Sequence, residues 1–176
     1  TLADVTVCIQ RAQMVDRIAK EIEQYIAELG SEGRLMSMQL EELMVEIEDE
    51  GYLVVKDYLA PGRDETAGQV WQSLSSWNTE DLLDQSLIAR ALGYGSNMNN
   101  PDFLVTPRGY RIISRIPRLP MPVVENLVAK FQQLPDILNA TIDELDDVEG
   151  IGEVRAKSIR EGLRRMREQV LLDSRI

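Results

Sequence analysis

Leu145-Asp-Asp-Val148-Glu149-Gly150-Ile151-Gly152-Glu153-Val154-Arg155-Ala156-Lys157-Ser-Ile159 reads as a short helix, a tight apolar-tipped hairpin and the start of a second helix. Gly150 and Gly152 bracket Ile151. Glycine reaches backbone angles closed to other residues and leaves room for a close approach. The hairpin opens directly into a helix whose first amides have no partners inside it. Those amides and the helix dipole favour an anion such as a phosphate. Arg155 and Lys157 follow within about a turn. The pattern is that of a helix-hairpin-helix motif, a sequence-tolerant grip on a nucleic-acid backbone. An ordinary turn between two helices is the bland alternative. The apolar positions Leu145, Val148, Ile151, Val154 and Ile159 run in phase and favour the motif.

An echo lies upstream. Ile116-Pro117-Arg118-Leu119-Pro120 matches Val148-Glu149-Gly150-Ile151-Gly152 as helix, five-residue apolar hairpin, helix. Thr106 with Pro107 predicts a helix start, with Ile112, Ile113 and Ile116 facing inward. Residues 123–131 restart a helix, residues 134–139 form a connecting helix, and Thr141 with Glu144 predicts a capping box. Proline donates no amide, so the first hairpin offers a phosphate fewer donors, and the Arg118 guanidinium compensates. Two hairpins related by pseudo-symmetry fit the two strands of one duplex across a minor groove.

On the last helix, Val154, Ile159, Leu163, Met166 and Val170 form the expected inner face. Lys157, Arg160, Arg164 and Arg167 form a separate basic stripe. Glu153, Glu161 and Glu168 permit the alternative of a balanced, solvated face. The candidate DNA contacts are Gly150, Ile151, Gly152, Arg155, Lys157 and Arg118, joined by Arg108 and Arg164. No base-reading surface is evident, and backbone contacts position a protein without specifying sequence. Structure-dependent binding is therefore expected.

The N-terminal part has a different character. Residues 2–29 read as a long amphipathic helix with Leu2, Val5, Ile9, Ala12, Ile18, Ile22, Tyr25 and Leu29 near one face, only weakly capped by Thr1. It looks like a helix cut from a longer chain. Gly30-Ser-Glu-Gly33 is a tight connection. A second helix runs from Arg34 to about Glu50, with Leu35, Met38, Leu43 and Ile47 along a stripe, and the two should pack as an antiparallel hairpin. Tyr52-Leu-Val-Val-Lys-Asp-Tyr58 is either an extended piece or the end of that helix. Helices follow over about 64–76 and from a cap at Asn78 or Thr79 to about Leu92. The latter is expected to bury Leu82, Leu83, Leu87, Ile88 and Leu92, with Trp71 and Trp77 anchoring the small core. The polar, uncharged stretch 93–101 is the expected linker, dividing a helical domain (1–100) from a tandem helix-hairpin-helix domain (101–176), an all-α chain.

Charge separates the same halves. Residues 1–102 carry 19 acidic and 7 basic side chains, a net of −12; residues 103–176 carry 11 and 12, a net of +1. DNA is expected to repel the first part and tolerate the second. The acidic run Glu41, Glu42, Glu46, Glu48, Asp49 and Glu50 matches no metal loop and reads as a solvated face. The chain has no histidine, which removes the commonest general base and metal ligand, and one cysteine, which excludes an internal disulfide. No nucleophile–base pair or metal-spacing cluster is visible, so neither a catalytic residue nor a metal site is expected here. No signal pattern or membrane span is apparent, and a cytoplasmic location is expected.

Thr106-Pro-Arg-Gly-Tyr110, Ile116-Pro-Arg-Leu-Pro-Met-Pro122, Leu138-Asn-Ala140 and Val148-Glu-Gly-Ile-Gly-Glu-Val-Arg155 resemble the DisA family of bacterial DNA-integrity scanning proteins. So do Gln10-Arg-Ala12, Glu28-Leu-Gly-Ser-Glu-Gly-Arg-Leu35 and Gln39-Leu-Glu-Glu-Leu43. The resemblance covers essentially the whole chain. It implies a helical linker domain over residues 1 to about 100, then a DNA-binding domain that takes branched or junction DNA in the nucleoid. It further implies a parent with an N-terminal diadenylate cyclase domain, which makes cyclic di-AMP from two ATP with a divalent metal, Mg or Mn. The family assembles as an octamer. The cyclase's Asp-Gly-Ala and Arg-His-Arg motifs are absent from this sequence, so the chain is expected to be non-catalytic, without a cofactor of its own. The alternative is a structural or oligomerisation scaffold with degenerate hairpins.

Overall fold

The computed structural model describes residues 1–95, 100 and 102–173; the side chains of residues 46, 48 and 169–173 lie outside that description. Residues 96–99 and 101 of the expected linker, the side chains of Glu46 and Glu48 in the acidic run, and that of Val170 on the expected inner face therefore lie outside the described residues. The fold is all-α. The chain divides into two compact units, Thr1–Val105 and Thr106–Ile176. That division lies beyond the expected 100/101 boundary, because the Leu2 amide donates to the Phe103 carbonyl (2.8 Å) and Val105 packs on the first core.

In the first unit α1 (Leu2–Glu28) and α2 (Arg34–Tyr58) are joined by a 3-10 turn, Gly30–Gly33. Thr1 is a stronger cap than expected: its hydroxyl accepts from the Asp4 amide within a full capping box. The ambiguous 52–58 stretch is the last part of α2, where Leu53, Val54 and Val55 are buried. Helix geometry beats the local β-propensity because that turn supplies core. Gly51 on α2 leaves room for Trp71: a Cβ there would lie 2.5 Å from the indole Cη2.

Helix α3 is Ala67–Ser76, capped by Thr66. The single helix expected up to Leu92 is two, α4 (Thr79–Leu83) and α5 (Gln85–Ala91). Asp84 divides them. Its backbone is extended and its carboxylate accepts from the Ser86 amide at 2.8 Å, so it acts as a cap and not as a helix interior. The break turns Leu83 outward, contrary to expectation, while Leu82, Ile88 and Leu92 are buried. The core joins Val5 and Ile9 to Val54, Val55, Leu59, Val70, Leu74, Ile88 and Leu92, with Trp71 and Trp77 packed half-buried at its margin.

The apolar stripes of α1 and α2 are only partly covered. Leu2, Val5 and Ile9 are buried, but Ile18, Ile22 and Tyr25 on α1 and Leu29 at its C-cap are exposed, as are Leu35, Met38 and Leu43 on α2. Among the described residues of that distal stretch, no other element covers those side chains.

The second unit contains α6 (Tyr110–Ile113), α7 (Met121–Phe131), α8 (Leu134–Asn139), α9 (Ile142–Asp146) and α10 (Glu153–Asp173). Thr106 does not start a helix. The Pro107 carbonyl accepts from the Leu134 amide at 2.9 Å, which holds the lead-in extended. The helix begins after Gly109 instead, at φ +120°. The core gathers Ile113, Ile116, Val124, Leu127, Ile137, Leu145, Val148, Ile151, Ala156, Ile159 and Leu163.

Candidate nucleic-acid interface

The repeat visible in the sequence is a repeat of hydrogen bonds, offset by 32 residues. Leu119 N–H donates to the Ile116 carbonyl (3.3 Å), as Ile151 N–H does to Val148 (2.9 Å). Ile116 N–H donates to Ile113 (3.0 Å), as Val148 N–H does to Leu145 (3.1 Å). Val124 N–H closes on the Pro120 carbonyl (3.2 Å), as Ala156 N–H closes on Gly152 (2.9 Å). Both hairpins turn through a positive φ, Arg118 at 62° and Gly150 at 83°.

Donor supply distinguishes the two. In the second hairpin the amides of Gly152, Glu153, Val154 and Arg155 have no partner among the described residues, because internal bonding stops at Ile151 and resumes at Ala156. They open onto the N-terminus of the 21-residue α10. In the first hairpin Pro120 and Pro122 have no N–H, and Val123 N–H is taken by the Pro120 carbonyl (3.0 Å), which leaves Met121. Among the described residues, the free amide donors are concentrated on one hairpin.

The glycines have different tasks. Around Gly152 nothing lies within 4 Å of an added Cβ, so this face is open. Gly150 combines its positive φ with Val123 Cγ2 at 3.2 Å from an added Cβ, so it is needed to make the turn. Ile151 is not an exposed tip. Its side chain is buried and its amide is bonded to Val148, which makes it the anchor holding the hairpin to the core and removes it from the contact surface.

A groove runs between the hairpins, lined by Pro117, Arg118 and Leu119 on one side and by Gly152, Val154 and Arg155 on the other. Arg118 is exposed and makes no hydrogen bond or ion pair among the described residues. It holds the left-handed conformation that costs a non-glycine residue about 1–2 kcal/mol. Arg155 bonds back to the Gly150 carbonyl, which braces the hairpin and keeps its charge there.

The remaining candidates lie elsewhere. Lys157 is paired with Glu153, whose carboxyl is held below the usual carboxylate range by that hydrogen bond and charge. Arg164 pairs with Glu161 (3.0 Å) and Glu168 (3.6 Å), so it belongs to a balanced helix face. Arg108 lies half-buried in the extended lead-in and has a partner of its own. None of these three lines the groove. Val154 also departs from expectation. It is 85% exposed, and Ala156 takes the inner position, because α10 meets the core along Ala156, Ile159 and Leu163.

Sequence reasoning missed the residues that position the second hairpin. Asn126 on α7 donates from Nδ2 to the Glu149 carbonyl (3.1 Å), and Lys130 donates to the Glu144 carbonyl (2.8 Å). Ser158 lines the groove. No local signal marks Asn126, because its partner is 23 residues away.

A helical unit followed in the chain by paired, pseudo-symmetric hairpins defines a helix-hairpin-helix protein with a helical linker. Residues 1–101 match the DisA bacterial checkpoint controller linker region, and residues 133–162 match the helix-hairpin-helix motif. The second range takes in the donor-rich hairpin and not the proline-containing one. The chain is 57% identical over 96% of its length to the DNA integrity scanning protein DisA of Carboxydothermus hydrogenoformans, of which it covers 48%. It is 52% identical over its whole length to that of Clostridium perfringens (49% covered) and 50% identical over 98% to that of Symbiobacterium thermophilum (48% covered). The chain belongs to the DisA family. It spans about half the length of these curated relatives, and the half it spans is the linker and helix-hairpin-helix part.

Proposed function

We propose that this chain is the non-catalytic, DNA-binding and regulatory part of a longer protein, one that takes branched or junction DNA through backbone phosphates. The observation that carries this reading is the run of four amides, Gly152 to Arg155, at the start of α10 that have no partner among the described residues. A phosphate on these amides gains charge-assisted hydrogen bonds and the helix dipole together. Arg118 across the groove, without an ion pair among the described residues, supplies a cation for the opposite strand. Lys157 joins the grip by exchanging Glu153 for a phosphate, while Arg108 and Arg164 remain outside it. In the parent, DNA occupancy lowers a diadenylate cyclase activity that uses ATP and a divalent metal.

The test is a salt titration of binding to a four-way junction and to a linear duplex of matched composition. Tighter junction binding, with log affinity falling by roughly 0.9 per log salt for each phosphate engaged, supports the reading. No binding at low salt overturns it.

A second reading is favoured by one observation, the uncovered apolar side chains Ile18, Ile22, Tyr25, Leu29, Leu35, Met38 and Leu43. They fit a self-association surface in an assembly such as an octamer. Sedimentation that stays monomeric at high concentration removes this reading without touching the first.

A further inference from the structure

Val154 has no structural task. It points away from the core line of Ala156, Ile159 and Leu163, and is 85% exposed. A β-branched residue also suits an exposed helical position less well than Lys, Glu or Ala. Yet it stands in the middle of the amides that are unpartnered among the described residues, on the wall of the inter-hairpin groove, which Pro117 and Leu119 line together with the charged Arg118, Glu153 and Arg155. The 32-residue repeat provides a counterpart, since the position equivalent to Val154 is Pro122, another exposed apolar residue in the first turn after a hairpin. Both repeats thus place an exposed apolar residue in the first turn after the hairpin, and only in the second does it stand among several free amides.

The groups flanking a phosphate along a strand are its sugars. A deoxyribose presents an apolar C2′ methylene there, whereas a ribose presents a hydroxyl, which is both donor and acceptor. An isopropyl group offers that hydroxyl no partner and excludes the water that would supply one.

We infer that Val154 is a sugar-reading residue, which packs on the deoxyribose next to the phosphate held by Gly152–Arg155 and thereby selects DNA over RNA-containing duplex. The inference rests on the phosphate-grip reading above.

The experiment uses two short duplexes of one sequence, one all DNA and one with ribonucleotides at every second position of both strands. They are titrated with the whole chain, with V154T and with G152D. Threonine keeps the shape of valine and adds a hydroxyl that a ribose can bond. The unaltered chain should bind the all-DNA duplex about tenfold more tightly, the loss expected from one unsatisfied hydroxyl. V154T should melt at the same temperature, keep the salt slope and bring the two affinities within about twofold. An unchanged preference in V154T, with DNA binding still weakened roughly 150-fold by G152D, overturns the inference and leaves the phosphate grip standing. DNA binding indifferent to G152D overturns both.

Discussion

Replacing Gly152 by aspartate separates folding from binding at a single atom position. The added Cβ enters open space, with no atom within 4 Å, so packing is undisturbed. Gly152 directly precedes α10, and aspartate is among the best residues there because its carboxylate accepts from amides of the first turn. The substitution thus fills the anion site from within. Stability should rise by a few tenths of a kcal/mol. Binding loses the hydrogen bonds to the displaced phosphate, about 1.5–3 kcal/mol for each bond to a charged group. With two such bonds lost at the lower value, the sum is about 3 kcal/mol, or roughly 150-fold in Kd. Fluorescence anisotropy on a labelled junction at fixed salt reads the affinity, and a thermal melt of the same sample reads the fold. A Kd within threefold of the parent, with an unchanged or raised Tm, would refute the assignment of the phosphate to these amides. G150D is the wrong variant for this purpose. It strains a positive φ and crowds Val123, so lost binding would report only a damaged turn.

Further outcomes are expected. Gly109→Ala should lower stability by more than about 1 kcal/mol in a denaturant melt, because alanine is strained at φ +120° and its Cβ would meet Ile113 Cδ1 at 3.0 Å. Arg118→Gly should stabilise the chain by about 1 kcal/mol through relief of its left-handed backbone, while the salt slope of DNA binding shrinks by about 0.9; a weaker fold with an unchanged slope would show that Arg118 serves structure. Gln13→Met should raise stability by about 1 kcal/mol, because the amide of Gln13 is fully buried with neither Nε2 nor Oε1 bonded among the described residues; a lower Tm would mean that the amide is satisfied in solution. DNA affinity should be flat between about pH 6 and pH 7.5, since the chain has no histidine. The Glu144, Glu153 and Glu161 carboxyls lie below their usual range through the Thr141 amide, Lys157 and Arg164 respectively. Their stabilisation is complete above the unfolded carboxylate pKa and is lost as pH falls through the lower folded values, so melts should weaken only below about pH 4.

Much of the second unit was legible because its signals are local. The Thr141–Glu144 box and the turns of both hairpins are set by caps, prolines and hydrogen bonds that span five residues or fewer. Expectation failed where a distant partner intervened or where a polar residue inside an apolar period acted as a cap. Thr106-Pro107 resembles a helix start until the Leu134 amide claims the Pro107 carbonyl. Leu83 fits the apolar period until Asp84 breaks the helix and turns it outward. The stripe on α1 is continuous in sequence, but α5 and the last turns of α2 cover only its first part.

By itself, the sequence determined the helical class, the division into an acidic first part and a basic-tending second, and the place of the donor-rich hairpin. Periodicity, caps and glycine spacing act over a few residues, so they survive in one dimension. Tertiary structure decided what each member of that hairpin does. Gly150 and Gly152 are the same residue two positions apart, yet one turns the chain over Val123 and the other leaves a face open. Ile151 looked like a tip and is a core anchor, whereas Val154 looked like core and is exposed. Among the described residues Arg118 has no partner while Arg164 is neutralised, a difference set by which carboxylates lie within reach. Burial and pairing depend on neighbours that the fold brings together, and no local rule in the sequence specifies them.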